Sequence, residues 1–382
     1  MNFMLKEIES LPELMFQIFD PLDDMVNSQL NRGLCSSLQR IFVTGSGDSH
    51  FAALTTEFAF ENLTSLPVEP MSAFQFARYA AGFIPQTGPH TNLVMGISVS
   101  GAVSHTVEAV RMGAQADATT AAITANAPGD LAQNSHILLQ VPVFPLPVPE
   151  GMVIPGIRSY FISQIGLYLA AVRIAEVRGQ LTSAQAKEIK FEIRGLSETI
   201  AQTIKDCAAP ARQAVEEMLG AHEFVFAGSG PNYGTALFSA AKLLEASGDA
   251  ALGQEIEEWA HLQYFAREKT TPTFIITAGD RDISRAEEVA EAAAAVGRRL
   301  WVVAPNTCEK LIQTADGHLP IPAVREMFSP LVTAIPGELI AAYRAEALGE
   351  TYFRGFTGGR SIEGGGGISR IRTSETWENW KP

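Results

Sequence analysis

Cysteine is scarce in this 382-residue chain: Cys35, Cys207 and Cys308 only, an odd number with no C-x-x-C spacing. That excludes a disulfide frame and a thiolate zinc site, and the three thiols read as buried groups in a reducing compartment. Positive charge is also short, with 28 Lys+Arg against 42 Asp+Glu and a net charge of −14. A chain this acidic repels a phosphate backbone, so nucleic acid is not an expected partner. No G-x-x-x-x-G-K-[ST] run occurs, which removes P-loop phosphoryl transfer. Near the N-terminus Lys6 is outnumbered by Glu7, Glu9 and Glu13, so no signal peptide is expected. The most apolar runs are broken by Arg173 or by the prolines of VPVFPLPVP, short of the ~18 apolar residues of a membrane span. The expectation is a cytoplasmic protein with no membrane partner.

What the chain does have is a hydrophobic share of 46%, ordinary for a folded protein. Its length exceeds the ~250–300 residues at which one core splits, so two domains are the default. One pattern then occurs twice. RIFVTGSGDSHFAALTTEFAFENL begins at Arg40 and HEFVFAGSGPNYGTALFSAAKLLE at His222, which puts Gly45 and Gly228 183 residues apart. Downstream, NLVMGISVSG, a helical stretch from Val103 to Met112 and AAITAN match TFIITAGD, a helical stretch from Ser284 to Val296 and LWVVAPN. Two echoes at nearly one offset indicate a duplicated unit. Short apolar strands alternating with helical stretches imply parallel sheets with crossover helices, and continuously apolar strands imply helices on both faces. Residues 159–218 read as long helices, jointed around Thr182–Ser183 and Gly195. The Gly- and Arg-rich tail from Thr351 carries five basic and three acidic residues and reads as a strap or lid on an acidic body.

The Gly45-Ser46-Gly47-Asp48-Ser49-His50 loop fails the dinucleotide fingerprint at its third glycine, where His50 stands; Tyr233 stands there in the second copy. The loop after the next strand is more informative. Ser98-Val99-Ser100-Gly101-Ala102-Val103-Ser104-His105-Thr106 sets four hydroxyls at the mouth of a helix. Unpaired N–H groups and hydroxyls together hold a phosphate monoester without any lysine. Ser46 and Ser49 open toward the same crevice; the plainer alternative makes Ser98, Ser100 and Ser104 helix caps. The second copy has Asp280 and Asp282 in the matching loop, whose carboxylates repel phosphate, so the anion site belongs to the first half. Further on, Lys242 and Glu245 lie together on a helix whose apolar face carries Leu237, Ala240, Ala241 and Leu244. Alone, that pair reads as a solvated salt bridge and the Gln254–His261 run as a charged surface helix.

The G-x-G-x-S loop (Gly45, Gly47, Ser49) and the I-S-x-S-G loop (Ile97 to Gly101), in two α/β units, resemble the sugar isomerase (SIS) family. More narrowly, the chain is similar to the isomerase half of glucosamine-6-phosphate synthase and to stand-alone phosphosugar isomerases, deaminases and deglycases. The resemblance implies two tandem SIS domains, each a three-layer αβα sandwich around a five-stranded parallel sheet. It divides the chain into an N-terminal helical segment 1–25, SIS domains over 26–180 and 181–350, and a tail 351–382. It implies that Glu245, in Lys242-x-x-Glu245, moves a proton between C1 and C2 of a sugar. It also implies that His261, in Glu258-x-x-His261, assists ring opening or protonates a leaving group. In such enzymes that histidine comes from the neighbouring subunit, so a homodimer with a shared active site is expected. Glu150 and Arg158 match the family's segment between the halves, and Arg370 falls in the tail.

Several positions depart from the family. Val103 replaces the usual Thr of the phosphate loop, Gly156-Ile157 replaces a Ser-Thr pair, and the tail offers Arg370 and Arg372 where the synthase has a catalytic lysine. A guanidinium forms no Schiff base with a ketose. No glutaminase segment and no Cys at position 2 are present in this sequence, so glutamine-driven amidotransfer is not expected. The expected activity is isomerisation, deamination or deglycation of a 6-phosphorylated ketose, amino sugar or fructosyl-amino acid, with no cofactor and no metal. The alternatives are a phosphosugar sensor that binds without turnover, and a nucleotide-binding α/β protein.

Overall fold

A computed structural model describes residues 2–85, 88, 90–361, 363–364 and 374–376. The chain packs into two compact units. One combines Met15–Pro145, Ser159–Arg194 and Phe356–Pro382; the other combines Met1–Leu14, Leu146–Arg158 and Gly195–Gly355. The first holds strands β1 (Arg40–Gly45), β2 (Val68–Ser72), β3 (Asn92–Ile97), β4 (Thr119–Thr124) and β5 (Ile137–Gln140). They form one parallel sheet in the order β2-β1-β3-β4-β5. The second holds β6 (Glu223–Gly228), β7 (Ala250–Glu255), β8 (Pro272–Ile276), β9 (Arg299–Pro305) and β10 (Gly317–Ile321). Their order, β7-β6-β8-β9-β10, is the same topology again, so the repeat in the sequence is a repeat in the fold.

The inner strands β3 and β8 are buried at every residue, as expected of parallel strands covered on both faces. Helices supply the cover: α1 (Asp48–Thr64), α2 (Ser104–Gln115), α3 (Arg158–Val177), α4 (Ser183–Glu217), α5 (Pro231–Ala246), α6 (Ile256–His261), α7 (Ile283–Val296) and α8 (Pro330–Leu348). In the first unit Phe76, Val94, Ala109 and Met112 pack together on one side of the sheet. In the second, Trp259, Ile275, Ala290 and Val302 do the same. Both G-S-G turns use glycine for one reason. Gly47 (φ 57°, ψ −128°) and Gly230 (φ 52°, ψ −128°) share a backbone conformation that side chains avoid.

Three sequence expectations change. α4 runs unbroken through Gly195 and Pro210, so no joint falls at Gly195. On α5 it is Leu244 that is exposed and Lys242 that is fully buried, because α5 is covered by α8 as well as by its own sheet. α3 is, among the described residues, long and apolar enough by composition to cross a membrane, despite Arg173. Its most apolar window is 83% buried inside the fold. Gln164 Nε2 on α3 donates to Thr55 Oγ1 at 2.9 Å, and Arg173 Nε donates to the carbonyl of Leu30.

α1 also holds a carboxyl set for titration near neutrality. Burial, helped by Glu61 and Glu69, pushes Glu57 up to about 7. A raised acid pKa means that the folded state holds the proton. Its contribution to stability is whole below the ordinary value of 4.5 and is lost as pH rises through about 7. Glu57→Gln is expected to flatten that fall and to raise stability at alkaline pH by about 1–2 kcal/mol, allowing for partial solvent screening. Urea unfolding on either side of neutrality checks it; an unchanged pH slope is the contrary result.

Candidate functional site

In the first unit β1 and β3 are neighbours, with Gly45 paired in register with Ile97. Their following loops therefore emerge side by side at the carboxyl edge, where the strand order reverses and open α/β sheets bind ligands. A Cβ on Gly45 would lie 2.5 Å from Ser49 Cβ, so only glycine lets α1 start this close to the strand end. Ser46 is exposed and Ser49 partly so. Across the crevice the Ser98–Gly101 turn is pinned from β4. The Ala125 N–H donates to the Val99 carbonyl at 3.1 Å, and Asn126 Nδ2 donates to the Ser100 carbonyl at 3.0 Å.

The serines of this turn are not helix caps. The cap position of α2 is Val103, which offers no side-chain bond. Ser98 Oγ and Ser100 Oγ lie 3.4 Å from each other. Ser104 Oγ accepts the Ser374 N–H at 3.0 Å, so a tail segment reaches the start of α2. The same segment lies along α2, with Arg78 Nη2 donating to the Glu375 carbonyl and Arg111 Nη2 to Thr376 Oγ1. Arg370 lies outside the described residues.

Sequence reasoning passed over the cluster beneath this helix. Glu108 is fully buried, takes Arg78 Nε at 2.6 Å and faces His105 Nδ1 at 2.8 Å. The only sequence signal was a glutamate on the apolar face of an otherwise periodic helix.

In the second unit the corresponding loops are built differently. Asn232 stands where Ser49 stands in the first copy, but it is buried, with Thr333 Oγ1 donating to its Oδ1 at 2.6 Å. Asp282 lies in the matching anion loop; burial pushes its carboxyl up, and Thr277 Oγ1 donates to it at 2.6 Å. Glu326 is likewise pushed up by burial and by Asp282 and Asp280. This acid-rich loop is unsuited to phosphate.

The candidate acid–base groups lie in this unit. Lys242 has no exposed side-chain surface and places Nζ 2.5 Å from Glu245 Oε2, whose side chain is 29% exposed. The pair is thus not the solvated surface bridge that spacing alone suggested. His261 and Glu258 share α6 but do not pair: His261 Nε2 meets Glu257 Oε1 at 3.0 Å, one helical turn back. His261 and Arg285 hold the Glu257 carboxyl below its usual range. Glu255, not singled out in the sequence, caps α6 through the Glu257 and Glu258 N–H groups and accepts Ser229 Oγ at 2.6 Å. Glu150 is exposed. Arg158 is nearly buried and donates to Ser10 Oγ at 2.5 Å. Glu7 accepts the Ile157 and Arg158 N–H groups; burial raises its pKa while Arg158 and Lys242 pull it down. Among the described residues no group of three or more His, Cys, Asp and Glu is placed to hold a metal ion.

Comparison with known proteins agrees with this architecture. The SIS domain model matches residues 35–147. The glutamine–fructose-6-phosphate aminotransferase (isomerizing) of Gloeobacter violaceus is 28% identical over 357 residues, covering 91% of this chain and 56% of the relative. Its Streptomyces coelicolor counterpart is 24% identical with the same coverage. The chain thus spans about half the length of the curated relatives it matches. Among solved structures, the C-terminal domain of glucosamine-fructose-6-phosphate aminotransferase from Francisella tularensis superposes with a TM-score of 0.76 at 19% identity. It covers 91% of this chain and 97% of its own. The glucosamine-6-phosphate deaminase of Thermotoga maritima superposes with a TM-score of 0.67 at 19% identity, covering 91% and 95%.

Proposed function

We propose that this chain, built of two tandem SIS domains, is a phosphosugar isomerase, deaminase or deglycase acting on a ketose or amino-sugar 6-phosphate. The observation that carries this reading is the Lys242–Glu245 pair. A lysine with no exposed surface is costly to bury and is held by a carboxylate that keeps one side open to solvent. That is the form of a base which must reach substrate while its position stays fixed.

On this reading the phosphate is held by Ser98, Ser100 and the first N–H groups of α2, with Ser46 and Ser49 on the facing loop. Glu245 removes the proton from the carbon next to the open-chain carbonyl and returns it to the neighbouring carbon. The intermediate is an enediol, or an enolamine where nitrogen replaces oxygen, and the hydroxyl proton passes between the adjacent heteroatoms. With nitrogen, the resulting imine takes up water and releases an amine. His261 assists ring opening; its 66% side-chain exposure fits a group offered to a neighbouring subunit of a homodimer.

The test is turnover on a panel of ketose 6-phosphates, amino-sugar 6-phosphates and fructosyl-amino acid 6-phosphates, with coupled detection of glucose-6-phosphate or released amine. Turnover of one class establishes the reading. No turnover, with a phosphosugar still raising the melting temperature, makes the chain a sensor instead. Ser98→Ala with Ser100→Ala is expected to raise KM by about 10–100-fold, since each lost hydroxyl bond to an anion contributes ~1–1.5 kcal/mol. An unchanged KM places the phosphate elsewhere.

A further inference from the structure

α8 ends at Gly349 in the left-handed region, and a few residues later the chain is left-handed three times in succession. Phe353 (φ 54°, ψ 21°), Arg354 (φ 57°, ψ 28°) and Gly355 (φ 58°, ψ 17°) all lie there. Glycine takes this conformation freely, but in Phe353 and Arg354 the Cβ crowds the following carbonyl oxygen. Side chains visit it singly, so two in a row persist only where the surroundings hold them. Arg354 supplies that hold. Its N–H donates to the Thr351 carbonyl at 3.0 Å, and Nη2 donates to the same carbonyl at 2.9 Å. Nε lies 3.4 Å from Glu350 Oε2. Nη2 also reaches α5, donating to the Ala246 carbonyl at 2.5 Å. A Cβ on Gly248 (φ 80°) would overlap Nη1, so glycine there leaves room for the guanidinium.

Ala246 is the last residue of α5 and directly follows Glu245. The final carbonyls of a helix lack partners within it, and its last turn is where it frays. At this end the Ser247 and Gly248 N–H groups already close on the Leu243 carbonyl, at 2.9 and 3.3 Å. An ordinary cap is therefore in place, and the strained turn adds a second fastening beside Glu245. A cation at this end also answers the helix dipole. Lys242 holds the carboxylate of Glu245, and Arg354 holds the backbone that carries it. We propose that Arg354 is a positioning residue for Glu245: the left-handed turn presents its guanidinium to the end of α5 and fixes where the base stands. This role rests on the acid–base work proposed for Glu245. Strain kept at a clasp beside a reacting group is strain that serves geometry, not stability.

Arg354→Ala and Arg354→Lys are compared with the parent as full chains, well below the melting temperature of all three. Amide hydrogen exchange reads the clasp itself. In Arg354→Ala, residues 245–248 are expected to exchange at least ~10-fold faster, with β6 and β8 unchanged. On the substrate that the parent turns over, Arg354→Ala is expected to lower kcat by about 10–100-fold with KM within ~3-fold. A displaced base costs rate and not binding. Arg354→Lys keeps one donor for the Ala246 carbonyl and is expected to be at least ~3-fold faster than Arg354→Ala. A role in stability alone would lower the melting temperature and leave kcat of the folded protein as it was. Unchanged exchange at residues 245–248, or unchanged kcat in folded Arg354→Ala, overturns the proposal and leaves the role of Glu245 standing. A lysine variant no faster than the alanine variant is equally contrary. No turnover by the parent overturns the role of Glu245 and this one with it, and the exchange result then shows whether a purely structural clasp remains.

Discussion

Glu245→Gln is expected to lower kcat for the phosphosugar substrate by about 10²–10⁴-fold with KM within a few-fold, the size of a lost general base. Glutamine keeps the shape of the side chain and still accepts from Lys242 Nζ, which the parent holds at 2.5 Å. It cannot take a carbon-bound proton. The ammonium of Lys242 has no exposed surface and loses the charge of Glu245, so some loss of stability accompanies the loss of rate. Melting temperature must therefore be read beside kcat. A second measurement isolates the proton step: in deuterated water the parent exchanges the substrate's C1 or C2 hydrogen, and the variant does not. Full activity, or undiminished exchange, in a folded Glu245→Gln protein sinks the assignment.

The fold was legible where both faces of a strand are buried. IFV, LVMGI, FVFA, FIIT and WVVA are continuously apolar because helices cover them on each side, and all five are strands in the structure. The duplication was legible because the tight strand-to-helix turn demands glycine twice, at Gly47 and again at Gly230. The outer strands were not individually legible. β2 contains Pro70, β7 contains Gly253 and β10 contains Pro320, residues that an edge position tolerates and a central strand does not. Pairing from one side only, these strands need no continuous apolar run, and their alternation is short.

The candidate site was legible in residue type and spacing, less so in partnership. Lys242-x-x-Glu245 places its two groups one turn apart, and they meet. Glu258-x-x-His261 is spaced equally well, yet His261 turns to Glu257, since two carboxylates on one helix compete for one imidazole. Spacing states who can meet, not who wins. Burial decides the rest, and a one-dimensional pattern cannot show it: Lys242, Glu108 and Arg344 are all enclosed, although lysine, glutamate and arginine are ordinarily surface residues.

Arg344 carries the largest expected effect on stability. It lies on α8 with 1% exposure, and all five of its N–H donors have acceptors. Nε and Nη2 form a fork on Asp249 at 2.8 and 3.2 Å; Nη1 and Nη2 reach the carbonyls of Met218, Leu219 and Ala221. Those carbonyls follow the C-terminus of α4, where a cation also answers the helix dipole. The guanidinium further covers the ring of Phe224 at 5.2 Å, at the start of β6. One side chain thus ties the end of α4, the β6 entry and the Asp249 turn to α8. Arg344→Met keeps the length and apolar stem but takes the donor from the Leu219 and Ala221 carbonyls and from a carboxylate that is itself only 8% exposed, while the Met218 carbonyl keeps the Ala221 N–H. The expected loss is about 3–5 kcal/mol, the cost of breaking a buried pair by removing one partner. For a domain of this size that corresponds to a melting temperature lower by roughly 10 °C. Arg344→Lys is expected to recover less than half, because an ammonium cannot reproduce the planar fork. The double variant Arg344→Met with Asp249→Asn separates the terms: removing the stranded charge should restore ~1–2 kcal/mol if the unpaired carboxylate is a principal cost. A double variant no more stable than Arg344→Met assigns the loss to the carbonyls and to packing on Phe224 instead.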